Sequence, residues 1–135
     1  MRIKIATAVL FSLFALPFAA PAVGKNHDYG PKPTIILVHG AFAGSSSWNG
    51  VVDDLIADGY PVIAAADPLR SVAGDAAYIG SLVNTIPGPV VLVGHSYGGE
   101  VIAVAAAGHQ NVKALVFVAG LAPDVGESAA SLGAK

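Results

Sequence analysis

The chain has 135 residues, 54% of them hydrophobic and 12% charged, with a formal net charge of −2. It is too apolar for a disordered chain, and it lacks the basic stripe that nucleic-acid binding requires. It contains no cysteine, which excludes disulfides, thiolate nucleophiles and cysteine-based metal sites.

The N-terminus reads as an export signal. Met1-Arg2-Ile3-Lys4 is a short basic start, an apolar run follows from Ile5 to Ala20, and Ala20-Pro21-Ala22 places small residues where a signal peptidase reads them. Residues 1–22 are therefore expected to be cleaved, leaving a secreted or periplasmic protein that begins at Val23. The apolar run is short for a membrane span and is interrupted by Pro17 and Pro21, so no stable span is expected. Residues 23–33 carry glycine, prolines and polar residues and read as a linker. Residues 34–135 are expected to form one domain.

Within that domain two periods alternate. Thr34 to Val38 is a continuous β-branched and apolar run, the mark of a buried parallel strand. Ser45, Ser46 and Ser47 offer helix caps, and Trp48, Val51, Val52, Leu55 and Ile56 then fall on one helical face, ended by Gly59. Tyr60 to Ala66 reads as a second strand, broken by Asp67-Pro68. A second helix is expected from about Ala73 to Ile86, and Pro87-Gly88-Pro89 stops it. Val90 to Val93 is a third strand. Glu100 to Gly108 reads as a helix apolar on nearly every side, so a buried one. Lys113 to Ala119 is a fourth strand with a buried pattern. Gly120 to Lys135 reads as a small-residue loop or the start of another helix.

This alternation predicts an α/β fold: a three-layer parallel sheet with right-handed crossovers and flanking helices. A dinucleotide-binding domain would place G-x-G-x-x-G after the first strand, but His39-Gly40-Ala41-Phe42-Ala43-Gly44 stands there. If the second and third strands take opposite sides of the first, the C-terminal ends of the first and third strands flank a switch point, where open α/β sheets bind ligands.

The chemistry concentrates at that point. Gly94-His95-Ser96-Tyr97-Gly98-Gly99 is G-x-S-x-G between a buried strand and a buried helix. In that context the serine sits in a strained turn with its hydroxyl clear of the sheet. Gly94 and Gly98 let strand and helix crowd the turn. The helix N-terminus directs free N–H groups and its positive dipole end toward a developing oxyanion. The competing reading makes Ser96 a helix cap in a glycine-rich turn. An oxyanion hole needs two N–H donors. One is expected from Tyr97, the other from Ala41, with Phe42 as the alternative. His39 and Gly40 are motif support, with His39 expected to hold the loop.

These segments resemble the α/β-hydrolase superfamily, in particular its small esterase and hydroxynitrile-lyase-like branch. The matching pieces are Val38-His39-Gly40-Ala41-Phe42, Ser45-Ser46-Ser47-Trp48, Gly94 to Gly99, and Ala122-Pro123-Asp124. The resemblance runs from about Pro33 to about Glu127 and implies an incomplete α/β-hydrolase fold. It also implies a Ser-acid-His triad with Ser96 as nucleophile, a small-molecule ester or related acyl substrate, and no metal or cofactor.

The chain departs from that pattern in its histidines. Only His27, His39, His95 and His109 are present, and none follows a late strand, where the superfamily keeps its general base. His109 lies about 13 residues from Ser96, roughly 20 Å along a helix. Asp124 is a possible acid, although the acid more often follows the next strand. The chain as given is therefore expected to be inactive alone and a poor folder. A lyase or perhydrolase on the same site, or a non-catalytic binding module on the same fold, are the alternatives.

Overall fold

A computed structural model of the protein describes residues 30–123 and Glu127. The expected export signal, residues 23–29 of the linker, and Asp124 lie outside the described residues. Four strands form one parallel sheet: β1 (Thr34–Val38), β2 (Val62–Ala65), β3 (Val90–His95) and β4 (Val112–Val118), in the order β2-β1-β3-β4. A 3-10 turn (Ser45–Trp48) leads into α1 (Asn49–Ala57). Helices α2 (Val72–Asn84) and α3 (Tyr97–Ala105) complete the set. The expected alternation and the expected neighbours β1 and β3 are both observed.

Strand alternation sorts the core into two faces. Ile36 and Val38 of β1 point toward α2 and α3, where they join Ile79, Val83, Leu92, Val101 and Ile102 in the larger apolar cluster. Ile35 and Leu37 point the other way and pack with Trp48, Val52 and Leu55. Every one of these β1 side chains is buried, which is why its sequence shows no period of two.

Several local expectations need correction. The serines before Trp48 cap nothing. Gly44 stands at the N-cap of the 3-10 turn, and the Ser47 hydroxyl instead donates back to the Gly44 carbonyl at 2.7 Å. The effective cap is Ser71, whose side chain accepts from the Gly74 N–H at 3.1 Å and starts α2. Val51 and Ile56 were expected on the packed face of α1 but are 40% and 58% exposed. The helix covers the β2 side of the sheet, and an open pocket of about 260 Å³ between Trp48, Val51, His95 and Val118 separates it from β4.

α3 is not buried all round. Val101, Ile102 and Ala105 are inside, while Val104 is 48% exposed. β4 carries an apolar run yet lies at the sheet edge of the described residues, with Val116 and Val118 exposed. Gly59 does end α1, at φ 78°. The Tyr60 N–H reaches the Leu55 carbonyl at 2.9 Å and the Gly59 N–H reaches Ile56 at 2.8 Å, a Schellman closure.

Candidate active site

The turn from β3 into α3 is tightly constrained. Ser96 occupies φ 51°, ψ −119°, a region that residues with a Cβ rarely adopt. Such strain persists only where the surroundings over-determine it. Here the Ser96 N–H donates to the Val118 carbonyl at 3.2 Å, and its own carbonyl accepts the Gly99 N–H at 2.9 Å.

Close backbone approach supplies the rest. A Cβ on Gly94 would stand 2.3 Å from the Gly98 carbonyl oxygen, and one on Gly98 would stand 2.5 Å from that of Val38. The first turn of α3 therefore rests directly on the end of β1. Ser96 itself is exposed.

The loop after β1 closes over this turn. Gly40 lies so near that a Cβ there would be 3.2 Å from the Ser96 Cβ. Gly40, Ala41, Phe42, Ala43, His95 and Ser96 line a pocket of about 200 Å³. His39 is buried, with Nδ1 3.0 Å from the Gly40 carbonyl. A carbonyl only accepts, so Nδ1 carries the proton. The same oxygen accepts the Ala43 N–H at 3.1 Å. The peptide is trans, so pinning the Gly40 carbonyl also fixes the opposed N–H of Ala41. Neither the Ala41 N–H nor that of Tyr97 has a hydrogen-bond partner among the described residues. Phe42 is fully exposed at the pocket rim.

The structure thus brings Ser96, Gly40, Ala41 and Phe42 to one pocket and puts His39 behind it. It brings no histidine into hydrogen-bonding contact with Ser96 among the described residues. His95 stacks edge-on against Trp48, with ring centroids 6.4 Å apart. His109 lies against Gly80 of α2 at the far end of α3. His27 and Asp124 lie outside the described residues. Trp48 packs in the core as expected, with its indole N–H buried and without a partner among the described residues.

Sequence reasoning missed a buried acidic pair behind the turn. The Tyr97 hydroxyl donates to Asp75 Oδ2 at 2.6 Å, so this side chain packs against α2 rather than opening onto the pocket. Asp75 is fully buried, and both its oxygens accept the Arg70 N–H at 3.1 Å. Beside it Asp67 is 6% exposed, with neither carboxyl oxygen in a well-formed hydrogen bond. A signal for Asp75 was present: with Ile79 and Val83 it repeats every four residues on the apolar face of α2, which is no place for a solvated charge.

The two carboxyls differ in their proton affinity. Burial, then the neighbouring Asp75 charge, pushes Asp67 above the usual carboxylate range. Burial also pushes Asp75 up, but hydrogen bonds from the Tyr97 hydroxyl and the Arg70 and Ser71 N–H groups outweigh it and hold the carboxyl below that range. Burial, then Asp75, drives the Tyr97 phenol well above its ordinary value.

These directions fix opposite effects on stability. A raised folded pKa stabilises below the unfolded value and loses that contribution as pH rises through the folded one; a lowered pKa does the reverse. Ionising Asp67 therefore weakens the fold from mildly acidic pH upward, and protonating Asp75 weakens it at low pH. Asp67→Asn is expected to raise the melting temperature relative to the parent by more at about pH 7.5 than at about pH 4.5, because it removes a carboxyl that must ionise while buried. A difference in melting temperature that is constant across this range would contradict the assignment.

A model of the alpha/beta hydrolase family matches residues 35–134. No curated protein matches the chain. Among solved structures, a pyrethroid hydrolase from Sphingobium faniae JZ-2 is 26% identical with a TM-score of 0.59, over 67% of this chain and 40% of its own. Tomato methylketone synthase I, complexed with 2-tridecanone, is 24% identical with a TM-score of 0.64, over 78% of this chain and 46% of its own. Polyneuridine aldehyde esterase is 24% identical with a TM-score of 0.65, over 73% and 44%. The chain therefore spans less than half the length of these structures. Sheet order, the strained serine turn and the family match over most of the sequence agree: the chain belongs to the alpha/beta hydrolase family.

Proposed function

We propose that this chain carries the nucleophile and the oxyanion hole of a serine esterase acting on a small ester or related acyl compound. One observation carries the reading: Ser96 is held in a rarely populated backbone conformation between a strand and a helix N-terminus, exposed beside the Gly40–Phe42 loop. Strain of this kind is maintained where it serves a site. Similarity to a hydrolase and an esterase by name supports the substrate class.

In this reading the Ser96 Oγ attacks the substrate carbonyl while a histidine takes its proton, forming a tetrahedral oxyanion. The Ala41 and Tyr97 N–H groups hold that oxyanion. The histidine then protonates the departing alcohol, leaving an acyl-serine that water hydrolyses. The histidine and its carboxylate partner come from outside the described residues, with Asp124 as one candidate for the acid. The complete protein should hydrolyse short-chain aryl esters, and Ser96→Ala should lose nearly all of that rate. Ester turnover near the parent rate in Ser96→Ala would refute the assignment.

Export is part of the same proposal. Among the described residues no helix is long and apolar enough to cross a membrane. The basic start, apolar run and Ala20-Pro21-Ala22 place the mature N-terminus at Val23. Mass spectrometry of the exported protein should find Val23 or a near neighbour there; intact Met1 on a cytoplasmic protein would refute export.

A further inference from the structure

The buried acids behind the serine turn have no part in the mechanism above, yet they are costly to keep. Asp75 is fully buried and held below the usual carboxylate range, so it is a charge out of water. Burying a charge is costly unless donors surround it, and an apolar residue of similar size would pack α2 against α3 at least as well. Donors surround it here. The Arg70 N–H reaches both Asp75 oxygens from the turn after Asp67-Pro68, in which Leu69 sits at φ 56°, a second strained residue. The Ser71 N–H adds to this, and the Tyr97 hydroxyl donates at 2.6 Å.

Tyr97 follows Ser96 and is the first residue of α3, so its side-chain anchor also holds the peptide joining the two. We infer that Asp75 is a positioning residue: through the Tyr97 hydroxyl it fixes the Ser96–Tyr97 peptide, and so the direction of the Tyr97 N–H as an oxyanion donor. This rests on the reading of Ser96 as nucleophile and deepens it.

The physical argument concerns how strain relaxes. Ser96 at φ 51° gains by rotating that peptide toward an ordinary conformation. Two backbone contacts resist, Ser96 N–H to the Val118 carbonyl and Gly99 N–H to the Ser96 carbonyl. The seating of Gly94 and Gly98 adds steric restraint, and the Tyr97 tether adds one made by a side chain. The loop donor is held in a parallel way, through the His39 ring and the Gly40 carbonyl. A donor that rocks is still an N–H near the substrate, so ground-state binding changes little. It is badly aimed at the oxyanion, so the loss falls on the transition state.

The test uses the complete protein and a short-chain aryl ester, with Ser96→Ala as reference. Tyr97→Phe removes one oxygen from a part-buried side chain and keeps its ring. It is expected to lower kcat about ten-fold with KM unchanged within about two-fold, a fraction of the loss seen when an oxyanion donor is deleted. Asp75→Ala should lower kcat similarly, and combining it with Tyr97→Phe should add nothing. Asp75→Asn, which keeps an acceptor for the hydroxyl, should recover part of the rate. An inactive Ser96→Ala with an unchanged kcat in folded Tyr97→Phe overturns this inference alone. Additive losses in the double variant, or a fall in rate that only tracks the folded fraction, overturn it too. If Ser96→Ala turns over like the parent, the nucleophile reading fails and this inference with it.

Discussion

Ser96→Ala is expected to lower kcat of the complete protein by about 10⁶-fold, the scale on which a serine nucleophile acting with its base is lost as a unit. A residual of ~10³–10⁴ over the uncatalysed rate should persist, because the oxyanion donors and the binding pocket remain. KM should change little, since the hydroxyl contributes mainly to the reacting complex. The physical basis is local. The hydroxyl is presented by a turn that holds its backbone at φ 51°. The pocket of about 200 Å³ beside it is lined by the loop whose Ala41 N–H has no hydrogen-bond partner among the described residues. Alanine in the same turn keeps these features, so the effect should be on chemistry and not on folding. A melting temperature near that of the parent would separate the two.

Gly98→Ala is expected to act in the opposite way, on folding first. In a free helix this substitution would stabilise by about 1 kcal/mol. Here the new Cβ would stand 2.5 Å from the Val38 carbonyl oxygen and 2.9 Å from that of His39. Both are backbone atoms at the buried end of β1, so neither can yield without moving the strand or the oxyanion loop. A destabilisation of at least ~4 kcal/mol is expected, seen as lost soluble expression or a melting temperature lower by more than about 10 °C. Gly50→Ala in α1 is the matching control: nothing lies within 4 Å of its Cβ, so it should be neutral or slightly stabilising. A Gly98→Ala protein as stable as its parent would show that α3 does not seat on β1 as described.

The fold was legible where sequence pattern and burial coincide. The β1 run is apolar without alternation because both of its faces are covered, and that pattern pointed directly to a parallel sheet. The start of α3 was less legible. Glycines at positions 98 and 99 disguise its first turn, and they are there because β1 and the Phe117–Leu121 region crowd it, which no local propensity can reveal. β4 carries the same apolar signature as β1 yet is an edge among the described residues. Burial depends on what lies alongside, and the run of residues does not record it.

The site divides in the same way. Ser96, Gly94, Gly98 and the His39–Phe42 loop form contiguous motifs whose geometry follows from strand, turn and helix. Asp75 could not be read in this way, because its partner Tyr97 is 22 residues away and their contact depends on α2 lying beside α3. Asp67 gave a turn signal with Pro68, which hid its burial.

The central claim is that Ser96 is the nucleophile. It is tested most directly by treating the complete protein with a serine-directed fluorophosphonate and mapping the adduct by mass spectrometry. A single adduct on Ser96, formed in step with loss of esterase activity and absent from Ser96→Ala, is the expected result. An adduct on another residue, or full activity after Ser96 is modified, would contradict it.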